Sequence, residues 1–167
     1  MKIEIIRNAT SQICSFTDHF KGFDNVDAVR KIFGDKTKDT LTQIRVEFTS
    51  ATLYMRVDHE GTLLVNPHYL SSGDFTEIYL DIVHELVHVK QAWSGENSDP
   101  SVSYVERPLE IEAYRVSVDE AKALGWDENR ILAYLDSDLV NADELKQLAR
   151  TLEVNCGEMD DLVLTNQ

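Results

Sequence analysis

The chain has 167 residues, 43% of them hydrophobic and 28% charged, with a formal net charge of −14. That is the balance of a globular protein with enough chain for a real core in one domain. It excludes a helical membrane span, since no run of about 18 apolar residues exists. It also excludes nucleic-acid binding through phosphates, which needs a basic face. A basic peptide substrate or partner suits the charge, as does solubility alone.

Residues 1–7 alternate like a strand and lack the apolar core of a signal peptide, so a cytoplasmic protein is expected. Cys14 and Cys156 lie far apart with no C-x-x-C spacing and are expected as reduced thiols. Residues 11–33 read as a helical stretch carrying Phe16, Phe20, Val26, Val29, Ile32 and Phe33. Gly34 and the charged run 35–39 then read as a loop. Residues 43–48, 52–57 and 62–65 read as three strands, with Asp58-His59-Glu60-Gly61 as a hairpin turn between the last two. Residues 1–73 are thus expected to be mixed α/β with a small sheet.

Residues 74–93 read as one long helix. Asp74 suits its N-cap, Glu77 follows three residues on, and 71–73 form the loop before it. Phe75, Ile82, Leu86, Val89 and Trp93 share one face, opposite His84 and His88, as in a buried helix. His84-Glu85-Leu86-Val87-His88 is an H-E-x-x-H pattern. Four residues of helix separate the imidazoles by one turn, so both can bind one zinc ion. Glu85 can then serve as general base toward a metal-activated water. The competing reading is a chance match on an ordinary helix. Asp81 and Gln91 share the histidine face, where they can orient an imidazole, touch a ligand, or simply line a polar cleft.

A catalytic zinc takes three protein ligands as a rule. His19, His59 and His68 read as surface or loop histidines, and no histidine follows His88, so a downstream third ligand must be a carboxylate. Residues 94–103 read as a loop. Residues 108–124 read as the second ligand helix, with Pro108 at its start and Gly125 at its end. Wound at 3.6 residues per turn, Glu112, Arg115, Asp119 and Lys122 form an outer stripe. Glu110, Ala113, Tyr114, Ser117, Ala121 and Leu124 form the inner one. Glu110 is therefore the preferred third ligand over Glu112, its alternative role being a carboxylate favoured by the helix dipole. Residues 125–154 read as C-terminal helices. Asp127 caps one with Ile131, Leu132 and Leu135; Asn141 and Glu144 open another with Leu145, Leu148 and Leu152. Residues 155–167 read as a fraying tail.

H-E-x-x-H followed by a helix with E-x-x-A, here Glu110-Ile111-Glu112-Ala113, resembles the glutamate-zincin metallopeptidases. Over residues 42–124 it distantly resembles small ImmA/IrrE-type proteins. Tyr114 stands where that group often has asparagine. The resemblance implies an α+β zincin-like domain with a small antiparallel sheet before the zinc helix. It also implies a zinc-dependent metallopeptidase that cleaves a peptide or protein substrate. In that mechanism His84, His88 and Glu110 hold zinc, and Glu85 moves the proton from water to the leaving amine. Tyr114, or else Tyr104 or Arg107, donates to the oxyanion; the alternative for each is a packed tyrosine or a surface arginine. Two other classes stay open: a metal-binding regulatory or interaction protein with little turnover, and a metal-free structural domain.

Overall fold

The computed structural model describes residues 2–157 and is of the α+β class. The chain forms two compact units, residues 1–97 and 98–167. In the first, β1 (Glu4–Ile5) pairs antiparallel with β3 (Phe20–Lys21). A four-stranded sheet follows the order β2 (Ile13–Ser15), β4 (Arg45–Phe48), β6 (Leu63–Val65), β5 (Met55–Val57). Two of its pairings are antiparallel; β4 and β6 run parallel, with Val46 opposite Leu63 and Phe48 opposite Val65. All three residues of β6 are buried, as a central strand covered on both faces requires.

The expected helical stretch over 11–33 is broken instead. It contains β2, a single helical turn α1 (Phe16–His19), β3, a 3-10 turn (Phe23–Asn25) and α2 (Asp27–Phe33). The pairing of β2 with β4 and of β3 with β1 breaks it, and Gly22 then turns the chain: its φ is +84°, and a Cβ there would lie 2.9 Å from the Lys2 carbonyl oxygen. The aromatic spacing that mimics a helix has a tertiary origin. Phe16, Phe20 and Phe23 cluster with ring centroids 5.0–6.4 Å apart, all fully buried. The loop expected at 34–39 is also corrected. A 3-10 turn (Gly34–Lys36) leads into α3 (Thr37–Gln43), whose buried Leu41 anchors an otherwise polar segment.

The hairpin turn at 58–61 is present: Gly61 N donates to Asp58 O, and Asp58 Oδ1 accepts from Glu60 N and Thr62 N. Before the long helix, 67–72 fold as a further short helix, α4 (Pro67–Ser72). Asn66 caps it through His68 N and Tyr69 N, and Pro67 fills its first position. Arg7 ties it to β1's neighbourhood by donating to Leu70 O and Gly73 O. Then comes α5 (Phe75–Trp93), with the Asp74 side chain accepting from Thr76 N and Glu77 N as its cap. Ile78, Leu80, Ile82, Val83, Leu86 and Val89 are all fully buried, so α5 is core nearly all round. Phe75 and Trp93, at its two ends, are instead exposed.

The second unit contains a 3-10 turn (Tyr104–Glu106), α6 (Pro108–Ala123), α7 (Glu128–Leu135) and α8 (Ala142–Thr151). Asp127 caps α7, and Asn141 with Glu144 forms a reciprocal capping box on α8. Ile131, Leu135, Leu145, Leu148 and Leu152 are buried, as the helical spacing predicts. On α6, Ala113, Tyr114, Ser117 and Ala121 are buried while Glu112, Arg115, Asp119 and Lys122 are exposed; Leu124, expected on the inner face, is 48% exposed. Of the tail expected to fray, 158–167 lie outside the described residues, whereas Cys156 is buried and Asn155 N donates to Glu128. Cys14 and Cys156 are both free thiols. Among the described residues, no helix is long and apolar enough to cross a membrane.

Candidate metal centre

The centre is built on the middle of α5. His84, Glu85 and Gln91 are 6%, 8% and 2% exposed, and His88 is partly buried. Burying so many polar groups on one helix requires each to find partners. One helical turn apart, the two imidazoles meet with ring centroids 4.8 Å apart at 74°, and their Nε2 atoms are 3.1 Å apart. The other nitrogen of His88, Nδ1, lies 2.7 Å from Gln91 Oε1, so it donates to that amide oxygen. Gln91 thus orients an imidazole, one of the roles its face allows. Asp81, one turn before Glu85, accepts a hydrogen bond from the Tyr69 hydroxyl. Burial, then the Asp81 charge and hydrogen bond, push the Tyr69 phenol well above its usual range. Tyr69 escaped the sequence reading because only the fold of α4 onto α5 joins residues 69 and 81; the Asn66-Pro67 cap was the one local hint of that helix.

Glu110 sits in the first turn of α6, which Pro108 starts. One ligand atom each from His84, His88 and Glu110 lies within 4.8 Å of the others. Two imidazole nitrogens and a carboxylate oxygen are donors that suit a divalent transition ion, so this group can hold a metal ion. Glu112 is exposed and lies outside the group.

Tyr104 and Tyr114 form a hydroxyl pair 3.1 Å apart, their rings edge to face. Tyr114 is 8% exposed. Arg107 donates from Nε to Val102 O and lies over the Tyr104 ring, 5.8 Å from its centroid, which fixes the turn before α6. Of the remaining histidines, His59 in the hairpin turn and His68 on α4 are exposed as expected. His19 is not a surface residue. It is buried, with Nδ1 3.2 Å from Ile6 O and its ring 4.8 Å from Phe48. Comparison with models of known families, with curated proteins and with solved structures finds no match to this chain.

Proposed function

We propose that this chain is a zinc-dependent metallopeptidase. The observation that carries the reading is the convergence of His84, His88 and Glu110 ligand atoms within 4.8 Å, beside a buried Glu85. The donor spacing supports zinc: two nitrogens on one tetrahedral zinc stand roughly 3.3 Å apart, and the two Nε2 atoms are 3.1 Å apart. When bound, the ion polarises the scissile carbonyl and makes water a competent nucleophile near neutral pH.

The chain's own residues do the rest. Glu85 accepts a proton from the attacking water and passes it to the leaving amine. Burial at 8% exposure keeps that carboxylate where few waters compete for it. A hydroxyl of the Tyr104–Tyr114 pair donates to the carbonyl oxygen as it gains charge. An intact Glu85 favours turnover over a purely metal-holding role, because holding an ion needs no such base.

The test compares wild type with Glu85→Gln on an unbiased peptide library at matched zinc content. The expected result is unchanged zinc binding with cleavage lost, since the amide keeps the shape and cannot take the proton. Equal cleavage by both would remove Glu85 from the chemistry. A zinc-loaded wild type that cleaves no peptide would overturn the peptidase reading in favour of a metal-binding protein.

A further inference from the structure

We propose that the groove between α7 and residues 155–157 is a docking site for a basic, extended segment of a partner protein, of the pattern Lys-x-Leu-x-Lys. The groove lies wholly within the second compact unit and makes no use of the metal reading. It is open to solvent and holds about 670 Å³, room for several side chains. One wall is α7, where Glu128, Leu132 and Asp136 follow at four-residue steps and so form a single stripe. Leu145 of α8 and Cys156, both buried, make an apolar floor. Leu132 is half-buried and Ala133 exposed, so apolar surface is left for an occupant to cover.

The charge around that floor has one sign. Among the described residues, Asp127, Glu128 and Asp136 line the groove and no lysine or arginine does. Arg130 of α7 instead has its guanidinium over the Trp126 ring, 3.8 Å from the centroid. Two of the carboxylates are already held by backbone donors. Asp127 Oδ1 accepts from Arg130 N and Glu128 Oε2 from Asn155 N, each at 2.8 Å. A carboxylate has two oxygens with about four acceptor sites, so each can also take a lysine ammonium. Fixing them in advance lowers the ordering cost of binding. Asp136 stands at the C-cap of α7, where the helix dipole favours a cation. Its charge has the wrong sign for the helix and the right sign for a basic ligand.

Spacing selects the pattern. Glu128, Leu132 and Asp136 stand roughly 6 Å apart along the helix axis. In an extended chain, alternate side chains share a face and recur roughly every 6.6 Å. Lysine, leucine and lysine at alternate positions therefore meet the three residues in register. Like charge disfavours the other occupants. Residues 158–167, next in sequence, carry Glu158, Asp160 and Asp161 and no lysine or arginine, and a second copy carries the same net charge of −14.

The experiment titrates the full chain with the end-blocked peptide Gly-Lys-Ser-Leu-Ser-Lys-Gly and follows backbone amide shifts by nitrogen-15 NMR. Shifts are expected on α7, at Leu145 and over 155–157, with binding that weakens as salt rises. Exchanging both lysines of the peptide for glutamate should abolish binding, and exchanging its leucine for serine should weaken it about tenfold. Glu128→Gln combined with Asp136→Asn, which keeps an acceptor for Asn155 N, should weaken it about fivefold. Ala133→Arg should block it. No binding, shifts centred elsewhere, or equal binding by the Glu128→Gln, Asp136→Asn protein overturns the proposal. So do α7 shifts that move on dilution of the peptide-free chain, which put a second copy in the groove. Shifts of α7 that move in a Leu162→Ser, Leu164→Ser chain overturn it too, by putting residues 158–167 there.

Discussion

The indole of Trp93 lies directly on Gly61. Its Nε1 donates to the neighbouring Glu60 carbonyl oxygen at 3.2 Å, and a Cβ on Gly61 would come within 2.3 Å of that nitrogen. This contact ties the β5–β6 turn to the C-terminal end of α5, the helix that carries both histidines. Gly61 also has φ +83°, where a side chain is strained in any surroundings. Gly61→Ala is expected to cost about 2–4 kcal/mol of unfolding free energy, from left-handed strain plus overpacking. In a Trp93→Ala background the same change should cost only the strain, about 1–2 kcal/mol. Denaturant unfolding of the four proteins measures the coupling, and additive losses would mean the indole is not what excludes the Cβ.

Metal content separates Glu110 from Glu112 on α6. Wild type is expected to bind about one ion per chain, and His84→Ala, His88→Ala and Glu110→Ala to lose it, since a structural or catalytic site rarely survives on two ligands. Glu112→Ala, on the exposed stripe, should bind as wild type does. Elemental analysis checks all five proteins, and loss with Glu112→Ala but not Glu110→Ala would reverse the assignment.

A hydroxyl–hydroxyl contact uses one of the two protons, so one hydroxyl donates to its neighbour and the other donates elsewhere. If the outward donor serves the oxyanion, its phenylalanine variant loses about 10²-fold in kcat with KM little changed. Removing the other hydroxyl costs less, because it only steadies the first. Kinetics of Tyr104→Phe, Tyr114→Phe and the double variant with cleavable peptide reveal the order. Full activity in the double variant would exclude both hydroxyls.

Alkaline stability should report Tyr69. Its folded pKa is raised above the usual value of about 10 by burial and by Asp81. The folded state therefore keeps a proton that the unfolded chain releases above about pH 10. Stability from this group is complete below that pH and falls as pH rises beyond it. Tyr69→Phe should lose about 1–3 kcal/mol at neutral pH, the value of a hydrogen bond to a charged group, and should show a shallower decline above pH 10. Unfolding free energies measured from pH 8 to 11 test this; parallel curves for the two proteins would mean Tyr69 titrates normally.

What could be read along the chain was local. The α5 cap at Asp74, the α6 start at Pro108, the Asp127 and Asn141 caps and the 58–61 turn each depend on residues within one or two helical turns, where backbone groups must find partners nearby. The His84–His88 spacing is local for the same reason, and so is the inward face of Glu110, which follows from Ala113, Ser117 and Ala121 winding at a fixed period. Tertiary structure alone decided the remainder. Gly22 takes a left-handed turn where the Lys2 carbonyl leaves no room for a Cβ, β2 exists because β4 offers it an edge, and β4 pairs directly and in parallel with β6, β5 intervening only in sequence. His19 is buried against Phe48, and Tyr69 reaches Asp81 across two helices. No short-range period encodes these pairings, because the free energy that selects them comes from burying surfaces that meet only when distant segments fold together.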